Sequence, residues 1–259
     1  MAGRDNQNHM KLDQTISSTH SSSVFRLDQC HFTYPGSQAP VIDGLNFEPN
    51  PQGITVILGG SGCGKTTLLH QLAKTTRVSM MFQEPRLLPW CTIRENLEFV
   101  LETHSPAGTG SIDEVLQLVG LEELADRYPS QLSGGQKQRV SMARAFGFDS
   151  HALLMDEPFQ GLDVMLRQDL IQLVVELWNT RQGSKPWPIV AVIHEPRDAA
   201  LLATDIWVFS GPPLHPIAQI PGNTKGPGVQ DHETLEIEET ILAAMTEARN
   251  TRDHNSKQS

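Results

Sequence analysis

Basic side chains are in short supply: the 259 residues include 20 Lys and Arg against 30 Asp and Glu, a formal net charge of −10. That balance excludes a general nucleic-acid coat, because neutralising a phosphate backbone draws on clustered Lys and Arg. Binding of a single nucleotide at a defined site stays open. Cysteine is scarcer still, with only Cys30, Cys63 and Cys91. The number is odd, and none of the three stands in a C-x-x-C pair or other metal-ligand spacing. A disulfide framework and a zinc site are therefore excluded, and a reducing, cytoplasmic setting fits. Long apolar runs are missing too. The run at residues 189–193 stops at His194, well short of the roughly 18 residues that span a bilayer. The chain is therefore not expected to cross a membrane.

What is present suits a folded domain, since 38% of residues are hydrophobic, enough to build a core. Residues 1–23 are polar and rich in Ser, Asn and Gln, and read as a disordered tail rather than a signal peptide. Residues 24–27 and 30–34 read as short strands, separated by a Pro/Gly turn from a third at 41–47. The run 54–58 is a buried strand, and Gly59, Gly60, Ser61, Gly62, Cys63, Gly64, Lys65 and Thr66 fit G-x-x-x-x-G-K-[ST] position for position. A helix follows from Thr67. Glycines there let backbone N–H groups close round phosphates, and the helix N-terminus adds its dipole. Lys65 supplies charge to the phosphates, the Thr66 hydroxyl suits Mg²⁺, and Thr67 reaches a further phosphate oxygen. An ordinary Gly-rich turn is the bland alternative, disfavoured by a strand before and a helix after.

Further along, Leu132, Ser133, Gly134, Gly135 and Gln136 form a polar Gly turn opening a helix. A short apolar run then ends in Asp156 and Glu157, as a buried parallel strand delivers polar groups at its C-terminal edge. In this order the elements resemble those of ATP-binding cassette (ABC) ATPases. The resemblance implies that Ser133, Gly134, Gly135 and Gln136 are the signature that binds the γ-phosphate of ATP held by a partner subunit. It implies that Asp156 holds Mg²⁺ and that Glu157 is the general base polarising the attacking water.

Gln83, after the strand at 78–82, matches a glutamine that touches Mg²⁺ and the water, on a loop that meets the membrane subunit. By itself, a glutamine there is usually just solvent-facing. His194, at the end of the strand at 188–193, matches the switch histidine that contacts the γ-phosphate and keeps the catalytic carboxylate positioned; a structural hydrogen-bonder is the alternative. Asp163, after Gly161 and Leu162, matches the acid of the loop coupling two sites of a dimer, or it is a helix cap. Tyr34 sits where the family places a ring against adenine, or it is a core tyrosine. The stretch from Arg86 to Trp90 and on through Thr92, Glu95 and Asn96 resembles importers of nitrate, sulfonates, taurine and thiamine precursors.

Three departures stand out. Only 18 positions separate Lys65 from Gln83, room for one helix and one strand, so an antiparallel hairpin of the β-rich subdomain is expected to be missing. Glu195 follows the histidine where Asp is usual, and Gln160 replaces a small residue before Gly161. Beyond the histidine, residues 198–209 read as helix and strand, and 211–228 as a Pro/Gly-rich connector. A last helix at 233–249 carries Ile237, Ile241, Leu242 and Met245 as an apolar stripe.

The expected fold is α/β: an ABC nucleotide-binding domain at residues 24–228, with a P-loop core on a parallel sheet, a reduced β-rich subdomain and a helical subdomain at about 93–132. A C-terminal helix and tail occupy 229–259. The implied function is Mg²⁺-dependent ATP hydrolysis in a head-to-tail ATP-sandwich dimer, driving import of a small solute. The implied partners are integral membrane permease subunits and, indirectly, an extracytoplasmic solute-binding protein, with the chain peripheral on the cytoplasmic side of the inner membrane and no nucleic acid involved. Two alternatives stay open, a soluble cassette ATPase of translation or DNA repair and an ATP-binding regulator without turnover. Neither the paired cassettes of the former kind nor the coiled-coil insertion of repair members is found in the sequence.

Overall fold

The computed structural model describes residues 25–104, 111–181 and 187–256; the expected tail at 1–23 lies outside them. Its centre is a six-stranded sheet of β3 (Ile54–Gly59), β4 (Val78–Met81), β5 (Ala152–Asp156), β6 (Ile189–Val192), β7 (Asp205–Ser210) and β8 (His215–Pro221), in the order β4-β5-β6-β3-β7-β8. The first five are mutually parallel and β8 is antiparallel to β7. A separate antiparallel pair is made by β1 (Leu27–Phe32) and β2 (Ile42–Phe47).

The central strands are apolar at almost every position because both faces of the sheet are covered, the condition parallel strands require. Side chains alternate between two cores. Ile54, Val56 and Leu58 of β3, Leu153 and Met155 of β5, and Ile189 and Ala191 of β6 enter a large core. Ile57, Leu154, Val190 and Val192 enter a second core beneath β1 and β2. Helix α1 (Lys65–Leu72) packs in the second core through Leu68, Leu69 and Leu72.

The large core is roofed by α2 (Ile93–His104), α3 (Ile112–Leu118), α4 (Gly134–Gly147), α5 (Val164–Arg181), α6 (Pro196–Leu202) and α7 (His232–Ser256). Helix α4 lies against α2, α3, α5 and β4, whereas α1 lies against β3, β5 and β6. As expected, the interval from Lys65 to Gln83 holds one helix and one strand, α1 and β4.

Local chemistry differs from the sequence reading in three places. The two short strands expected at 24–27 and 30–34 are one strand, kinked where Gln29 adopts φ +46° and the register with β2 shifts; Asn46 Oδ1 accepts the Gln29 N–H at 2.7 Å there. The connector at 211–228 contains a strand, β8. Pro216 and Pro221 disguise it, but an edge strand tolerates proline because its outward positions need no ladder donor. In α7, Ile237 and Ile241 are buried in the large core with Met245 packed against it, while Leu242 faces solvent. Adjacent positions point about 100° apart on a helix, so Ile241 and Leu242 cannot share the stripe.

Because Ile241 is fully buried against the domain, Ile241→Ala is expected to cost about 2–4 kcal/mol. In chemical denaturation followed by circular dichroism, this should appear as a lower midpoint of one cooperative transition.

Candidate functional site

The strands β3, β5 and β6 all finish at one edge of the sheet, and the polar groups singled out in the sequence cluster where they end. The phosphate-loop residues follow β3 directly. Gly59 has φ +155°, and a Cβ there would lie 2.5 Å from the Phe209 carbonyl oxygen, so no larger residue fits against β7. Gly64 has φ +114°, with Val41 Cγ1 at 2.8 Å from the site of a Cβ; left-handed backbone and close packing both demand glycine. Cys63 is buried in the second core and Ser61 and Gly62 are exposed.

Lys65 is buried, and its ammonium donates to the carbonyl oxygens of Gly59 at 2.9 Å and Gly60 at 3.0 Å. A buried cation held by two neutral carbonyls has no counter-charge in hydrogen-bond contact, so the loop is electrostatically set to receive an anion. The Thr66 hydroxyl donates to Asp156 Oδ1 at 3.1 Å. Burial pushes the Asp156 carboxyl above its ordinary pKa; the Thr66 hydrogen bond works in the opposite direction, and neighbouring Glu157 adds to the rise. Thr67 is buried, with its Oγ1 2.8 Å from the Tyr34 hydroxyl. Tyr34 itself is 48% exposed and meets Phe32 edge-on at 4.9 Å. The core alternative for Tyr34 is therefore excluded, and its hydroxyl is joined to the first turn of α1 at Thr67.

Glu157 begins a tight turn. Its backbone takes φ +53°, an uncommon conformation for a side-chain-bearing residue, and its N–H donates to Val192 O at 3.1 Å. Its carboxylate Oε1 lies 2.6 Å from His194 Nε2, both side chains being partly buried. The geometry joins the ends of β5 and β6 through one acid and one imidazole.

The remaining residues fall into separate groups. Gln83 is exposed, and its Nε2 donates to Gln160 Oε1. Ser133 caps α4: its hydroxyl accepts the Gln136 N–H at 3.3 Å, and its own N–H donates to Gln136 Oε1 at 2.9 Å, a reciprocal capping box. Ser133 and Gly134 are exposed, while Gly135 is pressed against Leu166, whose Cδ1 would be 2.7 Å from a Cβ. The structure thus leaves the N-terminus of α4 bonded within itself, in a helical layer distinct from α1. Asp163 does cap a helix, its Oδ1 accepting the Leu166 N–H at 3.0 Å.

Three contacts carried no sequence signal. Buried Gln138 of α4 donates to Pro158 O at 2.6 Å. Arg167 of α5 donates to Leu162 O at 3.2 Å and pairs with Asp198 of α6 at 3.3 Å, with its Nε buried and unpartnered. Burial raises the Asp198 carboxyl pKa, offset in part by the Arg167 charge. No residue period marks these positions; the Gln138–Pro158 and Arg167–Asp198 contacts join residues 20 and 31 positions apart.

The Asp156 result makes a prediction. A carboxylate whose folded pKa lies above its unfolded value destabilises the fold as pH rises through that interval, and the cost persists at neutral pH. Asp156→Asn keeps an acceptor for Thr66 and removes the charge. It is expected to melt higher than wild type near neutral pH and to show no such advantage below the unfolded Asp range, measured by calorimetry without added nucleotide.

Comparison with known proteins agrees with this geometry. Residues 73–160 match the ABC transporter family model. A taurine import ATP-binding protein of Pseudomonas savastanoi pv. phaseolicola is 34% identical over 216 residues, covering 74% of this chain and 80% of the relative. One of the same name from Chromobacterium violaceum is 35% identical over 213 residues, covering 72% and 78%. Among solved structures, the ATP-binding cassette MJ0796, a dimer in a post-hydrolysis state bound to ADP and Pi, superposes with TM-score 0.61 at 24% identity over 76% of this chain and 98% of that one. The cassette cbiO1 of Clostridium perfringens superposes with TM-score 0.64 at 21% identity over 90% and 98%. The chain belongs to the ABC transporter family and is its ATP-hydrolysing, nucleotide-binding subunit.

Proposed function

We propose that this chain is the motor of an importer of a small sulfonate-type solute, with Glu157 as general base and His194 as the residue that holds it. The observation that carries the reading is the 2.6 Å contact between Glu157 and His194, at the edge where Lys65 and Asp156 also stand. The Lys65 ammonium would exchange the carbonyls of Gly59 and Gly60 for phosphate oxygens, and loop amides from Gly60 to Thr67 would surround them. Glu157 would take the proton of a water as its oxygen attacks the γ-phosphorus and ADP leaves. His194 Nε2, donating to Glu157 Oε1, keeps that carboxylate turned toward the water rather than to bulk solvent.

Thr66 Oγ1 and Asp156 Oδ1, 3.1 Å apart, are hard oxygen donors that suit Mg²⁺, and an amide oxygen from Gln83 would add a third. An ion there would also relieve the burial cost on the Asp156 carboxylate. Held by these residues, the ion would supply positive charge against the phosphate oxygens.

Ser133, Gly134, Gly135 and Gln136 serve a second nucleotide. They occupy the exposed start of α4, in a layer apart from α1, so their use calls for a second copy arranged head to tail, with Asp163 and Tyr34 bordering the shared sites. A membrane permease is the partner assigned to the groove lined by Phe82, Arg86, Phe99, Arg144 and Phe148. Its rim is rigid. Asn96, 1% exposed, accepts the Leu88 N–H and donates to the carbonyls of Leu88, Cys91 and Thr92; Arg144 donates to Arg86 O at 2.9 Å. Trp90 projects from this loop, 73% exposed. Among the described residues no helix is long and apolar enough to cross a membrane, which fits a peripheral subunit on the cytoplasmic face of the cell membrane. The relatives named as taurine import ATP-binding proteins support import and a sulfonate-type solute; an extracytoplasmic solute-binding protein is the further partner this reading calls for.

Glu157→Gln is expected to bind ATP with little change while losing at least about 100-fold in turnover, the typical yield of a general base. Steady-state phosphate release and nucleotide titration check this; unchanged turnover would remove Glu157 from the role. Phe99→Glu is expected to keep basal turnover and to lose co-purification with membrane proteins from native membranes.

A further inference from the structure

The turn between β5 and α5, residues 157–163, is held from every side: by Val192 O at the Glu157 N–H, by Gln138 at Pro158 O, by Arg167 at Leu162 O, and by the Asp163 cap on α5. Within it, Gln160 donates its own N–H to Glu157 O at 3.2 Å, and its side chain reaches across to Gln83. Gln160, read from the sequence as replacing a small residue before Gly161, makes this contact with its carboxamide.

A carboxamide has two unlike ends, a nitrogen that only donates and an oxygen that only accepts. The oxygen alone can face a cation. We propose that Gln160 is a positioning residue for Gln83: by accepting the Gln83 Nε2–H at its Oε1, it turns the Gln83 oxygen toward the cation and water side of the site. It also ties the loop after β4, which borders the groove assigned to the permease, to the turn that carries Glu157. The inference rests on the reading of Gln83 as a Mg²⁺-facing residue. A small residue at position 160 would leave the Gln83 amide free to rotate.

Equilibrium binding of a non-hydrolysable ATP analogue to the full chain, by calorimetry with and without Mg²⁺, tests this without turnover. Gln160→Met removes the acceptor at similar length, and Gln160→Glu keeps it. Gln160→Met is expected to shrink the Mg²⁺-dependent gain in affinity about threefold to tenfold, the coupling typical of neighbouring side chains, and Gln160→Glu to retain it. Both should melt within about 2 °C of wild type, as surface substitutions do. In a Gln83→Ala background, Gln160→Met is expected to have no further effect. A Gln160→Met protein with the wild-type gain, while Gln83→Ala loses it, overturns the positioning role alone. A Gln83→Ala protein with the wild-type gain overturns the Mg²⁺-facing assignment of Gln83 and the inference with it. Equal losses in the Met and Glu variants also overturn the inference, because hydrogen-bond acceptance would then not be what position 160 supplies.

Discussion

The hydrogen bond from the Glu157 N–H to Val192 O sits at the point on which the site turns. In a parallel sheet all strands finish at the same edge, so the chain leaving β5 must reverse there without colliding with β6. Glu157 does so with φ +53°, a conformation that costs roughly 1–3 kcal/mol for a residue bearing a side chain. The cost is offset by neighbours that leave the turn no alternative. Its product is a carboxylate aimed at the imidazole of His194 rather than along the strand.

Charge explains why these groups collect at one edge. Lys65 is buried against neutral carbonyls, and burial pushes the Asp156 carboxyl above its ordinary pKa despite the Thr66 hydroxyl. Neither arrangement makes sense as a stabilising device, since buried charges without close counter-charges weaken a fold. Both make sense where a polyanion and a cation are to arrive, because the same desolvation strengthens their attraction. Stability has been exchanged for affinity at the strand ends, while the strands themselves are apolar on both faces and hold the edge rigid.

The turn at 157–163 gathers contacts from α4, α5 and β6 and, through Gln83, from the loop after β4. Helix α4 is bonded to Pro158 through Gln138, and α6 to Leu162 through Asp198 and Arg167. The groove beside Arg86 is joined to α4 by Arg144.

Much of this was legible in the sequence. The glycine spacing before Lys65, the paired acids after an apolar run and the Ser-Gly-Gly turn are local patterns, governed by backbone geometry and helix capping within a few residues. The short interval between Lys65 and Gln83 also foretold the single helix and strand found there. Other features could not be read locally. Strand β8 is hidden by its prolines, since only its place at the sheet edge makes them harmless. The choice at Tyr34 between core and surface, and the partners of Gln138, Arg167 and Gln160, depend on which elements meet across the sheet. The residue types at the site followed from sequence, because phosphate chemistry restricts them. Their orientation was decided by tertiary structure, because a side chain's direction is set by neighbours tens of residues away that only a closed sheet brings into contact.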